Sequence, residues 1–567
     1  MEIIRDVYVA DFETITTEPT RVWAWGFCRC GNLKNNKVVI GNTIHSFLNY
    51  VFNIKRSCAI YFHNLSFDGY FILYHLIDYN FKLVKTYKPK NNREYTELID
   101  ENGEIYSISI KMNGRIFNFY DSFKIFSNSL NNLSKSFNLK NKKLNLDYSS
   151  HQYDNYKINE DEKKYLINDV LILSELMYKF YKKFNYVEMT ISSQSFRNFK
   201  KQNQIKFKQD FLELTEEDDE YMRGAYRGGI CCISPLIQKN KIIKCKNGCV
   251  YDYNSMYPSM LHSISGNYYP VGKPVPINNI EELEHYINNN YLFVIKISCK
   301  FKIKKNRIPC ISSIKSSLRG DDKWEAESKT MTILTLTNID FKLLIENYDI
   351  ENLSFHSGLV FKNKKIGLFD DFINYWYEMK KNSDADVREF AKMMLNGLIG
   401  KFAQRLKMGR KFVSIDEATK KFKNKLIIDK TKPVYLPIAL FCTAYSRATL
   451  VEAINNNYEN FLYADTDSIH LKDEAKNIKI GKDLLTWKKE NKIIKAKYIK
   501  LKSYIEKIDN KKYLVKIAGL PLESRPVFKS DKIFNYYKKG LTIKNAKLRQ
   551  CKCEGGVILK PTDFTIK

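Results

Sequence analysis

The chain has 567 residues, of which 44% are hydrophobic, and its 93 lysines and arginines outnumber 63 aspartates and glutamates. This size supports several hydrophobic cores and excludes a peptide hormone, a disulfide miniprotein and a disordered tail. The net charge of +30 favours a polyanionic partner such as nucleic acid. An AT-rich coding sequence would also enrich lysine, so the charge alone leaves this partner open.

The spacing of the cysteines indicates whether they bind metal, and the length of the apolar runs indicates whether the chain crosses a membrane. The 12 cysteines include Cys28 with Cys30 and Cys551 with Cys553, but not the paired C-x-x-C sets of a zinc site. No uninterrupted apolar stretch reaches the roughly 18 residues of a membrane span, and the N-terminus lacks a signal-peptide pattern. We therefore expect free thiols and a soluble, intracellular protein without a membrane partner.

Strand patterns alternate with helical ones along the chain, which predicts a mixed α/β, multidomain architecture. The first predicted strand begins at Val7, and its period of two places Asp11 and Glu13 on one face. Two buried carboxylates need a cation, and Mg²⁺ prefers oxygen ligands. A solvated strand end is the alternative for this pair taken alone.

Two further segments add acids to this pair. A strand-like run at 59–62 precedes a polar segment that we expect to be a loop carrying Asp68. A helix is predicted from Tyr165 to Phe180, where the i, i+4 spacing puts the Tyr165 hydroxyl and the Asp169 carboxylate on one face. Two metal ions roughly 3.5–4 Å apart need about this many carboxylates, and Tyr165 could orient a water for phosphodiester hydrolysis.

A second group of acids lies further along the chain. A predicted strand delivers Asp252 to a turn, and a predicted hairpin carries Asp465 and Asp467 at its tip. Between them, Lys392 and Asn396 belong to a polar, cationic stripe on a helix predicted over 388–402. An isolated D-T-D is commonly a surface turn, and a basic stripe is commonly solvated. Together, however, these groups are the parts required for nucleotidyl transfer.

Taken in order, the motifs resemble those of the protein-primed family B DNA polymerases of small tailed phages with linear genomes. The resemblance spans nearly the whole chain. The segments similar to the three exonuclease motifs are Asp11-Phe12-Glu13-Thr14, His63-Asn64-Leu65-x-Phe67-Asp68-Gly69 and Tyr165-x3-Asp169. The segments similar to the polymerase, primer-binding and linker motifs are Asp252-x2-Ser255-x-Tyr257-Pro258, Lys392-x3-Asn396-x3-Gly400-Lys401-Phe402, Tyr463-x-Asp465-Thr466-Asp467-Ser468, Lys502-Ser503-Tyr504 and Tyr226-Arg227-Gly228-Gly229.

The resemblance implies an RNase H-like 3′–5′ exonuclease domain followed by a right-hand polymerase with two insertions. The first insertion would contact the terminal protein, and the second would support processivity and strand displacement. The implied domains are an exonuclease (1–187), palm (188–263), insertion 1 (264–366), fingers (367–403), insertion 2 (404–432), palm (433–530) and thumb (531–567).

The resemblance also implies a role for each matched exonuclease residue. Tyr165 and Lys143 would assist hydrolysis. The implied metal ligands are Asp11, Glu13, Asp68 and Asp169. The implied single-strand contacts are Thr14, Asn64, Phe67, Ser122 and Phe123, although Phe123 stands where the family usually has Leu.

In the polymerase portion, the resemblance implies that Asp252 and Asp467 hold the catalytic metals and that Asp465 supports them. Tyr257 matches the position that blocks a ribose 2′-hydroxyl. The other implied nucleotide-binding residues are Ser255, Lys380, Lys392 and Asn396. The implied DNA contacts are Tyr226, Gly228, Gly229, Lys502 and Tyr504. Ile399 departs from the usual Tyr of the family, which leaves base-pair checking at that position open.

By the same resemblance, we expect two Mg²⁺ ions per site, with Mn²⁺ as a substitute. The expected partners are template and primer DNA, dNTPs and a terminal protein primer, and the expected setting is a monomer in the cytoplasm of a bacterial host. Three alternatives are a nucleic-acid-primed repair polymerase, a nuclease with a vestigial polymerase half and an inactive nucleic-acid-binding protein. Sequence alone does not identify the host, the terminal protein or its priming residue.

Overall fold

The computed structural model describes residues 3–31, 37–145, 158–313, 324–405, 407–431, 434–509, 512–528 and 530–566. Within these ranges the chain is a mixed α/β protein, as the alternation of patterns predicts. All 12 cysteines are free, which confirms the expectation from their spacing. None of the helices in the described ranges has the length and apolar character that crossing a membrane requires.

The N-terminal region is built on one large sheet with helices on both faces. Its elements are β1 (Ile3–Thr14), β2 (Val22–Gly31), β3 (Val39–Gly41), α1 (Ile44–Phe52), β4 (Cys58–Phe62), α2 (Leu65–Asp78), β5 (Lys82–Leu83), β6 (Glu94–Asp100), β7 (Ile105–Met112), β8 (Arg115–Asp121), α3 (Leu130–Ser136) and α4 (Glu160–Phe184). β1 lies inside the sheet, antiparallel to β2 and parallel to β4. Val7 and Val9 of β1 pack on the α4 side, whereas Tyr8 and Phe12 pack among α1 and α2.

The long helix α4 has clear start and stop signals. Asn159 caps its N-terminus in a reciprocal capping box with Glu162, and acidic residues fill the first turn. Asn185 ends it in the left-handed conformation. The helix contains the predicted segment from Tyr165 to Phe180 and confirms it.

The middle of the chain forms part of a second sheet, a smaller sheet and a helical layer. Its elements are α5 (Ile191–Gln202), α6 (Gln204–Asp210), α7 (Glu216–Arg223), β9 (Cys231–Ile233), β10 (Ile243–Tyr253), α8 (Met256–Leu261), β11 (Tyr269–Val271), β12 (Val275–Ile277), α9 (Ile280–Asn288), β13 (Leu292–Ile303), β14 (Thr332–Thr337), α10 (Asn338–Asn347), β15 (Tyr348–Phe361), β16 (Asn363–Lys365), α11 (Asp370–Asn382) and α12 (Ala385–Phe402). The smaller sheet has the order β12-β15-β13-β14 and lies in the predicted insertion 1. α12 confirms the helix predicted over 388–402, with Leu395 and Leu398 buried.

The last part completes the second sheet and adds two long hairpins. Its elements are β17 (Lys407–Ile415), β18 (Phe422–Lys430), α13 (Leu436–Asn455), β19 (Phe461–Asp465), β20 (Ser468–Leu471), β21 (Trp487–Lys500), β22 (Ser503–Lys507), β23 (Tyr513–Ile517), α14 (Ile533–Tyr536), β24 (Thr542–Cys553) and β25 (Gly556–Thr565). The second sheet has the order β23-β22-β21-β10-β20-β19-β9. β10 lies at the centre of this sheet, and this position brings together acids that are distant in the sequence.

The hairpin β17–β18 joins the N-terminal sheet rather than the second one. The sheet order is β18-β17-β6-β7-β8-β4-β1-β2-β3, with β5 beside β6. Arg410 pairs with Asp100 and Lys411 with Ile99 across the β17–β6 boundary. The β24–β25 hairpin reaches the same region, since Thr20 donates its amide to the Glu554 carbonyl at 3.0 Å. Segments separated by hundreds of residues therefore meet at one edge of the N-terminal region.

Candidate active sites

The first acid cluster lies where β1 runs beneath α4. Asp11 and Glu13 continue the face of β1 that Val7 and Val9 turn towards this helix. The helix approaches closely because β2 has a glycine at the crossing, where a Cβ on Gly26 would lie 2.8 Å from the Val170 side chain. Strand and helix thus deliver their polar side chains to the same space.

Asp68 corrects one prediction. It lies in the first turn of α2 rather than in a loop, and it is buried. The helix begins one residue after Asn64, whose positive φ of 78° turns the chain from β4 into α2. Because of this tight turn, the polar segment after β4 is helical, although its composition favours a loop. A carboxylate at a helix N-terminus also gains from the helix dipole.

Electrostatic repulsion links the four acids of this cluster. Glu13 is 4% exposed and Asp169 2% exposed. Burial, and next the Asp169 carboxylate, raise the pKa of Asp11 to about 7. Burial and the Asp11 carboxylate raise the pKa values of Glu13 and Asp68 well above their ordinary range, and burial also raises that of Asp169. Such a concentration of buried negative charge calls for cations.

One cation is already supplied by the protein. The Lys143 ammonium contacts the Asp169 carboxylate and lies 2.7 Å from the Tyr165 hydroxyl, which places all three predicted side chains together. The Lys143 side chain remains 30% exposed, so it reaches the cluster from the solvent side. Asp169 Oδ1 is buried without a hydrogen-bond partner among the described residues. That free oxygen is a suitable donor for a metal ion.

The predicted single-strand contacts surround the cluster unequally. Thr14 is buried at the end of β1, Asn64 is exposed at the start of α2, and Phe67 is half-buried beside Phe71 at 5.8 Å. Of this set, Asn64 and Phe67 are the more accessible to a DNA strand. Phe67 offers an aromatic face.

Ser122 and Phe123 follow β8 and contact His63, a histidine to which sequence reasoning assigned no role. The fully buried Ser122 hydroxyl donates to the Phe62 carbonyl at 2.8 Å and lies 3.0 Å from His63 Nδ1. Phe123 packs edge-on against the His63 ring at 5.5 Å. Burial lowers the pKa of His63 to about 4. Ser122 therefore positions His63 and Phe123 rather than facing solvent itself.

The second acid cluster lies at the end of three neighbouring strands. Asp252 is the penultimate residue of β10 and pairs with Ser468 of β20. Asp465 ends β19, and the hairpin turn that carries Asp467 includes Thr466 with a φ of 61°. The predicted hairpin with two carboxylates at its tip is confirmed.

The linker segment braces this turn from behind. Gly229 packs so closely that a Cβ there would lie 2.8 Å from the Thr466 side chain, and the Thr466 amide donates to the Ile230 carbonyl at 2.8 Å. Arg447, which sequence reasoning missed, is fully buried and donates to the carbonyls of Arg227 at 2.7 Å and Gly228 at 3.1 Å. The sequence did not indicate a role for Arg447, because these hydrogen bonds join residues about two hundred positions apart.

The second cluster is more open than the first. It lines a cavity of about 650 Å³ together with Lys502 and Tyr504. Burial and the neighbouring Asp467 carboxylate raise the pKa of Asp252 to about 6, and burial also raises that of Asp467. Lys502 Nζ lies 2.9 Å and 3.1 Å from the two oxygens of Asp465. Asp465 thus holds the lysine, while Asp252 and Asp467 face one another.

Cationic side chains approach from the helical layer. Lys380 of α11 donates to the Ser255 hydroxyl at 2.8 Å, and burial together with the nearby Lys392 ammonium lowers the pKa of Lys380. Lys392 of α12 is half exposed and lies 3.3 Å from Glu389. Asn396, one turn further, lines a separate cavity of about 400 Å³ between α12 and the N-terminal region. The structure therefore brings Lys380 close to Asp252, whereas Lys392 and Asn396 both line the separate cavity beside the N-terminal region.

Tyr257 occupies the first turn of α8, directly after Ser255 and Met256. Its ring is half-buried, and burial raises the pKa of its hydroxyl. After burial, the neighbouring Cys442, Tyr226 and Asp467 side chains also raise this pKa, so the linker tyrosine and the catalytic turn lie near the ring. The ring therefore lies next to the space above the second acid cluster.

Both clusters have the donor chemistry of divalent metal sites. Each presents hard carboxylate oxygens, and the first contains an unpartnered buried oxygen on Asp169. In the described ranges, no three acidic, histidine or cysteine side chains converge closely enough to enclose an ion as they stand. The residues fit metal ions by charge and ligand type, and binding would draw the carboxylates inwards.

Comparison with known proteins agrees with this arrangement. Residues 52–158 and 150–483 match the family described as DNA polymerase type B, organellar and viral. The chain belongs to this family, whose members generally use divalent metal ions. It is a protein-primed polymerase of the phage type, a DNA-directed DNA polymerase with 3′–5′ exonuclease activity.

Relatives from two phages and one solved structure match nearly the whole chain. The DNA polymerase of Bacillus phage phi29 is 33% identical over 594 aligned residues, covering 99% of both chains. That of Streptococcus phage Cp-1 is 28% identical and covers 99% of this chain and 98% of the relative. The structure of phi29 DNA polymerase complexed with primer-template DNA and incoming nucleotide substrates matches with a TM-score of 0.87, 31% identity and 100% coverage of both chains.

Proposed function

We propose that this enzyme replicates a linear phage genome, starting from a terminal protein primer and using two Mg²⁺ ions at each of its two sites, with Mn²⁺ as a substitute. The observation that carries this proposal is the presence of two separate carboxylate clusters, one under α4 and one at the β10–β19–β20 edge. Each cluster has its own lysine, Lys143 or Lys502, in contact with an acid. We further propose that the enzyme acts as a monomer in the host cytoplasm.

At the polymerase site, Asp252 and Asp467 would hold the metal ions. The bound ions would neutralise the triphosphate and favour attack by the primer hydroxyl. Lys380 and Lys392 would hold the phosphates, because the Lys380 ammonium lies near the Asp252 carboxylate and the Lys392 ammonium lies near that of Lys380. Tyr257 would exclude a ribose 2′-hydroxyl. Lys502, held by Asp465, and Tyr504 would position the primer end at the cavity wall.

At the exonuclease site, Asp11, Glu13, Asp68 and Asp169 would hold the ions. Tyr165 would orient the attacking water, and its 2.7 Å contact with Lys143 would fix the hydroxyl. Lys143 would also offset negative charge developing on the phosphate. The exposed Asn64 and the half-buried Phe67 would contact the last bases of the strand.

Template DNA, primer DNA and dNTPs are the proposed substrates. The support is the full-length similarity to the phi29 enzyme, whose solved complex contains primer-template DNA and incoming nucleotides. The net charge of +30 is consistent with a DNA backbone as the partner. Tyr226, Gly228 and Gly229 would act mainly by fixing the catalytic turn beside the DNA.

Insertion 1, residues 264–366, is the proposed contact for the terminal protein. Its sheet exposes Ile333 and Leu353, and Met331 directly before β14 is also exposed, which provides apolar surface for a protein partner. The insertion is also joined rigidly to the polymerase core, because Asp340 of α10 forms a buried ion pair with Arg447 of α13 at 2.8 Å. A partner bound there would therefore be held in a defined position relative to the catalytic turn.

Insertion 2, residues 404–432, is the proposed support for processivity and strand displacement. Its base is held by Lys407, which contacts Glu216 and Glu220 at 2.7 and 2.9 Å, and β17 pairs with β6 of the exonuclease region. Lys552 of β24 approaches Asn424 of β18 at 3.3 Å. The hairpin thus bridges the polymerase core, the exonuclease region and the C-terminal hairpin, as a closing segment around DNA would.

The decisive experiment compares two primers. The first is a DNA primer on a single-stranded template, and the second is the serine-, threonine- or tyrosine-bearing terminal protein from a neighbouring gene, on double-stranded genome ends. We expect incorporation with both, and a covalent protein–dNMP product with the second. Incorporation with the DNA primer alone would indicate a repair polymerase instead. Degradation of 3′ ends without incorporation would indicate a nuclease.

A further inference from the structure

A buried polar network lies directly behind the polymerase cavity. Glu506 of β22 is fully buried, and its Oε1 accepts a hydrogen bond from the Tyr498 hydroxyl at 2.6 Å. His470 Nδ1 lies 2.5 Å from the same oxygen. Burial and the Glu506 carboxylate raise the pKa of Tyr498, so its hydroxyl remains protonated and serves as the donor. Side chains from β21 and β20, on either side of β10, therefore meet at one carboxylate oxygen of β22.

This network contacts the primer-binding residues through aromatic rings. The His470 ring lies edge-on to Tyr504 at 5.4 Å and to Tyr463 at 5.2 Å. The Tyr498 ring stacks on Tyr463 at 5.5 Å and lies 5.4 Å from Tyr504. His470 and Tyr504 both line the catalytic cavity. The position of the Tyr504 ring is therefore set by the two rings that Glu506 holds.

The same network reaches Lys502. The Tyr463 hydroxyl accepts the backbone amide of Lys502 at 3.0 Å, at a residue with a φ of 56°. A positive φ at a non-glycine residue requires support from its surroundings. Tyr463, fixed between Tyr498 and His470, provides that support. The side chain of Lys502 then contacts Asp465 on the catalytic turn.

We propose that Glu506, with His470 and Tyr498, is a positioning unit that sets the depth of Tyr504 and Lys502 in the cavity and thereby holds the primer 3′ end at the polymerase site. The inference rests on the proposed primer-binding role of those two residues. A displaced Tyr504 ring releases the primer end more often, and a released end is degraded at the exonuclease site. The unit therefore determines how much dNTP is needed for extension to outpace degradation.

The test uses the full-length enzyme on a primed oligonucleotide with increasing dNTP. Glu506→Leu removes the acceptor while keeping apolar volume, and Tyr498→Phe removes one donor. Each variant should raise the dNTP concentration at which degradation gives way to extension, roughly tenfold for the first and less for the second, as expected for lost buried hydrogen bonds. Glu506→Gln keeps an acceptor oxygen and should stay within about twofold of the parent. Degradation of single-stranded DNA should be unchanged in all three.

Tyr348→Phe is the matched control. Tyr348 is also a buried tyrosine outside the cavity lining; its hydroxyl donates to the Glu325 carbonyl at 2.9 Å and accepts the Cys310 and Ile311 amides. Tyr348→Phe should lower the melting temperature at least as much as Tyr498→Phe without moving the dNTP requirement. An equal shift in this control, or no shift in folded Glu506→Leu, would overturn the inference. If Glu506→Leu does not fold, the absence of a shift in the dNTP requirement of Tyr498→Phe would overturn the inference instead.

The variant Tyr504→Ala tests the primer-binding role of Tyr504 separately from the role of the buried unit. If Tyr504→Ala leaves the dNTP requirement unchanged, the primer-binding role itself is wrong. If Tyr504→Ala raises it but Glu506→Leu and Tyr498→Phe do not, Tyr504 binds the primer without help from the buried unit. The inference stands when all three variants raise the requirement and Glu506→Gln does not.

Discussion

The two acid clusters of this polymerase use similar side chains in different surroundings. At the exonuclease site Glu13, Asp68 and Asp169 are buried and Asp11 is partly buried, and burial raises the pKa of Asp11 to about 7. At the polymerase site the acids border an open cavity of about 650 Å³, and Asp252 has a pKa raised to about 6. A buried cluster suits a single strand end, whereas an open one leaves room for a duplex and a triphosphate. The two reactions therefore need not share any residue.

The largest expected effect comes from removing one cluster. Asp11→Ala combined with Glu13→Ala should reduce degradation of single-stranded 3′ ends at least about 10³-fold, since the metal ions lose two ligands. Incorporation on a primed template should stay within a few-fold. Gel analysis of both reactions on one preparation provides the measurement. A comparable loss of incorporation by the folded variant would argue against independent clusters.

The bridging hairpin should matter for product length rather than for chemistry. Replacing residues 406–431 with a short Gly/Ser turn removes the link between β6 and the polymerase core. We expect short-gap filling to persist, because both clusters remain intact. Products on a singly primed circle should shorten, and synthesis should stall at duplex regions without added helicase or clamp.

The control for this prediction is an excess of unlabelled trap DNA, which limits each enzyme to one binding event. Full-length displacement products from the shortened variant under trap would refute the role of the hairpin. Short-gap filling by the same preparation shows that the variant is folded.

The open site predicts a selectivity effect of intermediate size. Tyr257→Val should increase the ribonucleotide to deoxyribonucleotide ratio of kcat/KM by roughly 10- to 100-fold, because the smaller side chain leaves space beside the 2′ carbon. Tyr257→Phe keeps the ring and should change the ratio little. An unchanged ratio for Tyr257→Val would remove this residue from the selectivity role.

The smallest effect concerns the pH dependence of stability around the buried Glu97. Burial raises the pKa of Glu97 to about 7, and its carboxylate accepts the Val413 amide of β17 at 2.7 Å. A raised carboxyl pKa gives stability that is complete below about pH 4.5 and is lost as the pH rises through 7. The folded region that buries Glu97 should therefore lose roughly 1 kcal/mol of its free energy of unfolding between pH 6 and pH 8.

The matched variant for this effect is Glu97→Gln, which keeps an acceptor but does not titrate. The midpoint of denaturant unfolding should fall from pH 6 to pH 8 in the parent more than in the variant. The comparison cancels the titration of groups that do not interact with Glu97, whereas Lys552, whose pKa burial lowers to about 8, does interact with it. An equal fall in both proteins would show that Glu97 does not set this pH dependence.

Local patterns predicted the parts of both sites that lie on single elements. Asp11 and Glu13 share a strand face, Tyr165 and Asp169 share a helix face, and the Asp465–Asp467 hairpin follows from strand and turn composition. Asp68 was misplaced because the positive φ of Asn64 starts a helix without a side-chain cap. Composition near a helix start does not reveal such a turn.

The contacts between distant segments could not be predicted from local patterns. The β17–β6 pairing, the Arg447 hydrogen bonds to the linker and the convergence of His470, Tyr498 and Glu506 each depend on the final sheet order. Sequence spacing contains no period that encodes such pairings. The resemblance to a family anticipated the domain order, but not these supporting residues.

The most direct test of two independent active sites is Asp467→Asn assayed for both activities in one preparation. The account predicts that dNTP incorporation falls at least about 10³-fold, because a ligand of the polymerase metals is lost. Degradation of single-stranded 3′ ends should remain within about twofold, because the first cluster is untouched. Parallel loss of both activities in a variant with an unchanged melting temperature would contradict the account.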